Sequence, residues 1–152
     1  MRLSLLFLLL ALALAACGGG PKKRVFPPEA RLQELQRLDD GGLRLQLRLH
    51  NYSNVPMRFE RVDLELRLDD AAAGRIALTP ALQVAASSVE IVEARLAPPP
   101  AVLQAVDAAL ADGRPLRYRL AGTLATEAPR GHYDLEFAST LDRVPGLDRV
   151  LR

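Results

Sequence analysis

Few residues of this 152-residue chain have types and spacings that could do chemistry. His50 and His132 could each act as a general base or a metal ligand, but either could equally be an ordinary surface residue at the end of a strand. The aspartate pairs at 39–40 and 69–70 could bind calcium, yet neither is followed by the alternating oxygen ligands of a calcium loop. The serines at 87–88 lack a Gly-x-Ser-x-Gly elbow, and no Cys-x-x-Cys, phosphate loop or dinucleotide fingerprint occurs. The sequence therefore predicts a protein that is not an enzyme and has no cofactor or metal.

Cys17 is the only cysteine, and the residues before it resemble a lipoprotein signal. Arg2 precedes an apolar run over 3–14, which is the layout of a secretory signal peptide. Leu14-Ala15-Ala16-Cys17 is similar to the bacterial lipobox, a resemblance that implies cleavage before Cys17 and lipidation of its thiol. An ordinary cleaved signal peptide with a chance cysteine is the alternative. Lipidation would leave the mature chain with no thiol for a disulfide, a metal or a nucleophile.

The implied location is the cell envelope, with the membrane contacted through the lipid on Cys17. Residue 18 is Gly, whereas Asp there retains enterobacterial lipoproteins at the inner membrane, so the pattern favours the outer membrane, facing the periplasm. A net charge of +2 without a concentrated basic region argues against a nucleic-acid partner.

We expect four segments: a signal peptide over 1–16, the lipidated Cys17 with a flexible tether over 17–27, a sandwich over 28–145 and a tail over 146–152. Glycines at 18–20 favour flexibility in the tether. Lys22, Lys23 and Arg24 could dock on anionic headgroups, but three charges contribute little, which favours a soluble spacer. The tail could pack onto the sandwich or remain loose.

Apolar residues alternate with polar ones over two long stretches at the centre of the chain. Leucines occupy every second position over 43–49, and the alternation resumes over 57–68 with Val62, Leu64, Leu66 and Leu68. A period of two places these side chains on one face of a strand. Weaker signals bring the predicted strands to seven, at 30–38, 43–49, 57–68, 75–85, 89–96, 116–124 and 132–141. The first of these also fits helical spacing, through its leucines at 32, 35 and 38, and the strand over 89–96 alternates through positions 89, 91 and 96. The strand over 75–85 is interrupted by a proline, which predicts an edge position.

The period changes over 101–112, where the sequence predicts one helix. One helical face is lined by Val102, Leu103, Val106, Ala109 and Leu110, and Gly113 stands where a C-terminal cap belongs. Seven short strands with turn signals between them, such as 39–42 and 69–74, predict a two-sheet antiparallel sandwich. The helix is expected to cover one end or edge of it.

Two stretches resemble the water-stress and hypersensitive-response domain of the type 2 late embryogenesis abundant proteins. One is Asn51-Tyr52-Ser53-Asn54-Val55-Pro56-Met57, where the first Asn and the later Pro match the family's Asn-Pro-Asn loop. The other is the strand at 116–124, which looks like the family's Tyr-x-Leu-x-Gly strand. The resemblance covers roughly 25–141. It implies an immunoglobulin-like or fibronectin-III-like sandwich, a link to desiccation or other stress, and no catalytic residues.

In this motif Asn51, Asn54 and Pro56 are best interpreted as structural, because Asn side chains bond nearby backbone in tight turns; a ligand role is the alternative. The expected function is that of a lipid-anchored, non-enzymatic envelope protein that protects against stress. The alternative is a binding or assembly module that recognises an envelope protein or a lipid through a sandwich edge, such as the strand over 75–85, or through a cleft.

Overall fold

The computed structural model describes residues 20 and 22–152. Within them the chain forms nine β-strands and one α-helix. The predicted signal peptide and Cys17 lie outside the described residues. In chain order the elements are β1 (Glu29–Arg37), β2 (Leu43–Asn51), β3 (Met57–Leu68), β4 (Ala71–Leu78), β5 (Leu82–Val84), β6 (Ser88–Leu96), α1 (Pro100–Asp112), β7 (Leu116–Ala128), β8 (Arg130–Leu141) and β9 (Val150–Leu151).

The strands form two antiparallel sheets. One sheet has the order β6-β2-β1-β9, and the other has the order β4-β3-β7-β8, with β5 also paired to β3. Three pairings are hairpins between consecutive strands, namely β1–β2, β3–β4 and β7–β8. The pairings β2–β6, β1–β9 and β3–β7 join strands that are far apart in the chain. The prediction of a mainly β fold with two antiparallel sheets and one helix is confirmed.

Alternation of apolar and polar residues decides which face of each central strand is buried. All four leucines of β2, at 43, 45, 47 and 49, have no exposed surface. In β3 the same holds for Val62, Leu64 and Leu68, while Leu66 is 1% exposed. These side chains from both sheets belong to one hydrophobic cluster, which also includes Val106 of α1. The two sheets therefore face each other across a shared core, as the halves of a sandwich do.

The helix begins and ends close to the predicted limits. Its first residue is Pro100, and Gly113 follows its last residue with a φ of 63°, in the left-handed conformation expected of a C-terminal cap. Val102, Val106 and Ala109 are buried against the core. Among the described residues, no helix is long and apolar enough to cross a membrane.

The strand count of seven was wrong, because two strands are shorter than the alternation could reveal. The predicted strand over 75–85 is divided into β4 and β5 around Pro80, which has no N–H to donate to a neighbouring strand. Both pieces pair with β3, and β4 is at the edge of its sheet, as predicted. The second addition is β9, whose Val150 and Leu151 pair with β1, so this part of the tail packs onto a sheet.

Two local predictions also need correction. The turn expected over 69–74 is confined to Asp69 and Asp70, and β4 begins at Ala71. Along β6 the alternation through Val89 and Ile91 points away from the core, because Ile91 is 47% exposed while Ala94 is 7% exposed. The buried side of β6 is the one that carries Val92, Ala94 and Leu96.

The connections between strands gather at two opposite ends of the sheets. We call the connections at 22–28, 52–56, 85–87 and 129 the Asn51 end, and those at 38–42, 69–70, 97–115 and 142–149 the helix end. Ion pairs tie the helix region to its neighbours, since Arg37 Nε lies 3.0 Å from Asp107 and Arg114 Nη1 lies 2.7 Å from Asp69.

Candidate functional site

Asn51, the last residue of β2, is fully buried and organises the loops around it. Its amide nitrogen lies 2.8 Å from the Val55 carbonyl, 3.0 Å from that of Ala85 and 3.3 Å from that of Val84. Its amide oxygen accepts the Ser53 N–H at 2.9 Å. Both polar atoms of this side chain are therefore bonded to backbone, which is a structural role.

Ser53 and Asn54 hold the segment that precedes β1. The Phe26 N–H donates to Ser53 Oγ at 2.9 Å, and this hydroxyl lies 3.3 Å from the Phe26 carbonyl. Asn54 Oδ1 accepts the Arg24 N–H at 2.7 Å, Asn54 Nδ2 donates to the Lys22 carbonyl at 2.8 Å, and the Asn54 N–H donates to the Arg24 carbonyl at 3.2 Å. The second half of the predicted tether is thus hydrogen-bonded to the β2–β3 loop.

Pro56 is exposed and directly precedes β3, where it contributes no N–H. The structure places Asn51, Asn54 and Pro56 in one short loop, but their side chains do not meet around a common space. Asn51 is directed into the core side of the loop, and Asn54 faces the segment before β1. Asn51 and Asn54 therefore each hold a different part of the surrounding backbone in place.

A second polar cluster lies beside this loop and includes one of the two histidines. The His50 ring stacks on Tyr52 with 3.8 Å between ring centroids, and the Tyr52 hydroxyl donates to Glu29 Oε2 at 2.7 Å. Arg31 donates to both oxygens of Glu29, at 2.7 and 3.0 Å. These contacts have a consequence for ionisation: the hydrogen bond from Arg31, helped by Tyr52, holds the pKa of Glu29 below its usual value.

The surroundings of His50 lower the pKa of its imidazole. Partial burial lowers the pKa of His50, and the charge of nearby Arg48 lowers it further. His132 is on β8, in the other sheet, paired with Ala125 and exposed. The two histidines are therefore not brought together, and no group of three or more His, Cys, Asp or Glu side chains within the described ranges could hold a metal ion.

The aspartate pairs are part of the turns at the helix end. Asp69 and Asp70 have φ values of 44° and 68°, the left-handed conformation that a tight two-residue hairpin requires at both positions. Asp69 Oδ1 accepts the Arg117 N–H at 3.1 Å, and Asp69 Oδ2 accepts from Arg114 at 2.7 Å. Burial alone would raise the pKa of Asp69, but these hydrogen bonds outweigh it and the pKa lies below its usual value.

The other pair makes comparable contacts. Asp40 Oδ1 accepts the Gly42 N–H at 2.9 Å within the β1–β2 turn, and Asp39 is paired with Arg149. The hydrogen bond from Arg149 lowers the pKa of Asp39. Both aspartate pairs thus lie in turns, as predicted, and the structure adds that they pair with arginines.

Sequence reasoning missed the contact between the β2–β3 loop and the segment before β1. Ser53 and Asn54 lie 27 to 32 residues from the backbone groups that they bind, so local spacing carries no trace of the pairing. The available signal was the density of short polar side chains at 51–54, a composition that commonly bonds to backbone.

The comparisons with known proteins bear on the fold. No protein-family model and no curated protein matches the chain. Among solved structures, the solution structure of AT1g01470 from Arabidopsis thaliana superposes with a TM-score of 0.52 at 12% identity, covering 81% of this chain and 80% of that one. A crystal structure of a protein from Archaeoglobus fulgidus covers 82% of this chain and 99% of its own, at 13% identity and a TM-score of 0.45. At these identities the Arabidopsis likeness shows the fold alone.

Proposed function

We propose that this chain is a lipid-anchored, non-enzymatic protein of the cell envelope, built as an immunoglobulin-like or fibronectin-III-like sandwich of the type 2 late embryogenesis abundant kind. Its role in this proposal is protection against desiccation or other stress. The lipid on Cys17 would hold it at the outer membrane, facing the periplasm.

The observation that carries the proposal is that both sequence patterns behind the resemblance have structural roles. Asn51 joins two loops through its amide. In the Tyr-x-Leu-x-Gly strand, Tyr118 and Leu120 enter the core, and a Cβ on Gly122 would lie 2.2 Å from the Asp63 carbonyl oxygen. Only glycine fits so close to the neighbouring strand. Patterns that specify a sandwich, and not a reaction, are what a family without catalytic residues would have in common.

The distribution of charged groups supports the non-enzymatic part of the proposal. Glu29, Asp39 and Asp69, whose pKa values depart from their usual range, are each held low by an arginine. Catalytic acids and bases at neutral pH instead need a pKa moved toward 7. Paired carboxylates of this kind stabilise turns and strand ends.

Survival of the bacterium that encodes this protein tests the proposal. We would compare the parent, a deletion strain, and deletions complemented with wild type or Cys17→Ser, after drying and after osmotic upshift. Survival that is lost on deletion and restored only by wild type would support protection that needs the anchor. Rescue by Cys17→Ser would show that protection does not require the lipid. Unchanged survival of the deletion strain would reject the stress role.

Drying experiments with purified protein test protection directly. If the protein shields clients as water is lost, it should reduce aggregation of an unrelated enzyme during drying, without a fixed stoichiometry. Albumin at equal mass is the control, and protection no better than that of albumin counts against the proposal.

A binding or assembly module is the second candidate, and a groove between the two sheet edges favours it. The groove has a volume of about 310 Å³ and lies between β4, β5 and β6; its apolar lining residues are Leu78, Pro80, Leu82, Ile91 and Val92. Ile91, 47% exposed, presents an apolar side chain at its rim. Ile91→Asp should abolish in-cell crosslinking to one envelope partner. Arg75→Gln, at the outer edge of β4 and outside the groove, is the control and should leave the crosslinking unchanged. Crosslinking that survives Ile91→Asp would exclude this groove.

A further inference from the structure

The two ends of the molecule carry opposite charge. The connections at the Asn51 end contain three cations, Lys22, Lys23 and Arg24, and no carboxylate. Those at the helix end contain eight aspartates and three arginines, a net charge of −5 within these connections. The strand residues Arg37, Arg95 and Arg117 offset part of that charge by pairing with Asp107, Asp40 and Asp70. Of the strand carboxylates towards the Asn51 end, Glu29 binds Arg31 and Glu127 binds Arg58, while Glu60 and Glu90 are exposed. The Asn51 end is therefore the one that an anionic surface would attract.

Exposed apolar side chains lie at the same end. Val25 is 46% exposed, Phe26 is 48% exposed and Tyr52 is 40% exposed. These are three of the five large apolar residues that stand out as exposed among the described residues. Cations interspersed with exposed aliphatic and aromatic side chains are the composition that binds the interface of an anionic bilayer, where the cations meet phosphate and the apolar groups enter the acyl boundary.

The loop hydrogen bonds hold this surface in place. Asn54 binds the backbone of Lys22 and Arg24, and Ser53 binds the backbone of Phe26. The backbone that carries the cations and Phe26 is therefore held as one strip along the β2–β3 loop. Holding them together reduces the ordering cost of docking.

The length of chain before this strip limits which end can meet the membrane. Seven residues lead from Cys17 to Arg24 and span at most about 25 Å. The 12-residue strand β3 runs between the two ends and is about 40 Å long. A lipid on Cys17 would consequently hold the Asn51 end near the bilayer and leave the helix end further away.

We propose that the strip formed by Lys22, Lys23, Arg24, Val25 and Phe26, together with Tyr52, docks on anionic lipid headgroups and orients the domain with its acidic helix end away from the bilayer. The inference rests on the proposed lipid anchor for its geometry. It goes beyond that anchor, because it gives the folded domain a second membrane contact and a fixed orientation.

Tryptophan fluorescence of the lipidated protein tests the docking. The chain contains no Trp, so Phe26→Trp introduces a sole indole at the Asn51 end, and Leu147→Trp introduces one of similar exposure at the helix end. Each protein would be reconstituted into phosphatidylcholine vesicles with and without phosphatidylglycerol, using lipids brominated near the headgroup as quenchers. We expect a blue shift and quenching at residue 26 in the anionic vesicles, and neither change at residue 147.

A charge variant gives the decisive control. In the Phe26→Trp protein, changing Lys22, Lys23 and Arg24 to Gln should reduce the quenching by at least about half, because each cation near an anionic surface adds to the attraction. Equal quenching at residues 26 and 147, or quenching at residue 26 that is unchanged in the charge variant or in phosphatidylcholine alone, would overturn the proposal.

The anchor is tested separately in the same material. Mass spectrometry of the N-terminal peptide reports whether Cys17 carries lipid, and the indole reports only on residue 26. If Cys17 proves unmodified, the proposed anchor fails. The unlipidated protein would then be added to anionic vesicles at low salt, and quenching of the indole at residue 26 would be measured again. Quenching that depends on the three cations would support docking, and its absence would reject docking.

Discussion

Asn51 ties the end of β2 to two loops, and its removal should be among the most damaging changes at the Asn51 end. Asn51→Ala would remove the donor to the buried carbonyl of Val84 and to the part-buried carbonyls of Val55 and Ala85. We expect a loss of about 2–4 kcal/mol in the free energy of unfolding, measured by urea titration, because buried polar groups without partners are costly.

The neighbouring Asn54→Ala variant is the matched control for this prediction. Asn54 is exposed, so the backbone groups that it releases can bind water instead. Its loss should cost about 1 kcal/mol or less. Equal destabilisation by the two substitutions would contradict the distinction between a buried and an exposed amide.

Asp69 should make the stability of the protein depend on acidity. Its folded-state pKa lies below the unbound value of 3.8, so its contribution is present above pH 3.8 and is lost as the pH falls through the folded-state pKa. Asp69→Asn keeps a residue that tolerates positive φ but removes the charge facing Arg114. We expect it to cost about 1–2 kcal/mol at pH 7, with the difference from wild type narrowing towards pH 2 in urea titrations.

The comparison for Asp69 is the same change at Asp134, which is exposed on β8. Asp134→Asn should alter the free energy of unfolding at pH 7 by no more than about 0.5 kcal/mol. A difference between wild type and Asp69→Asn that stays constant from pH 7 to pH 2 would show that the carboxylate charge is not what stabilises this turn.

At the scale of the elements, β3 and β7 lie close together at Gly122. Its φ is 153°, and a Cβ would lie 2.2 Å from the Asp63 carbonyl oxygen. Gly122→Ala should therefore force the two central strands apart and cost more than about 3 kcal/mol in unfolding free energy.

Gly74 on β4 is the control for Gly122, because it shares the positive φ but lacks the close contact with neighbouring backbone. Its φ of 140° is similar, but the nearest atom to a Cβ there is a Leu96 methyl carbon at 3.6 Å, an ordinary contact. Gly74→Ala should thus show the cost of the φ value alone and be milder. If both variants lose the same stability in urea titrations, the close approach of Asp63 does not matter.

Strands with strict alternation could be predicted from the sequence, and short or edge strands could not. The leucines of β2 and β3 specify both the strand and its buried face. β9 has only two residues and depends on pairing with β1, a contact more than 100 positions away in sequence. Ile91 is exposed because β6 lies at the edge of its sheet, and at an edge strand the hydrophobicity of a side chain alone does not determine which side of the strand is buried.

The candidate site was predictable in part for the same reason. Asn51 could be identified as structural because its bonds to Val55 and Ser53 are local. Its bonds to Val84 and Ala85, and the capture of Phe26 by Ser53, bring together distant segments. Periodicity and composition do not contain that information, since only the folded sheets place those loops side by side.

At the scale of the whole molecule, the last residues close one edge of a sheet. Leu151 pairs with Leu35 and has no exposed surface, and Arg152 forms an ion pair with Glu34 at 2.8 Å. Leu151→Ala should cost about 2–4 kcal/mol in urea unfolding, because it leaves a cavity in the shared core. Leu147→Ala, the same change at a 44% exposed position nearby, should cost no more than about 0.5 kcal/mol. If Leu151→Ala cost as little unfolding free energy as Leu147→Ala, β9 would contribute little to the core, and the two sheets would be stable without it.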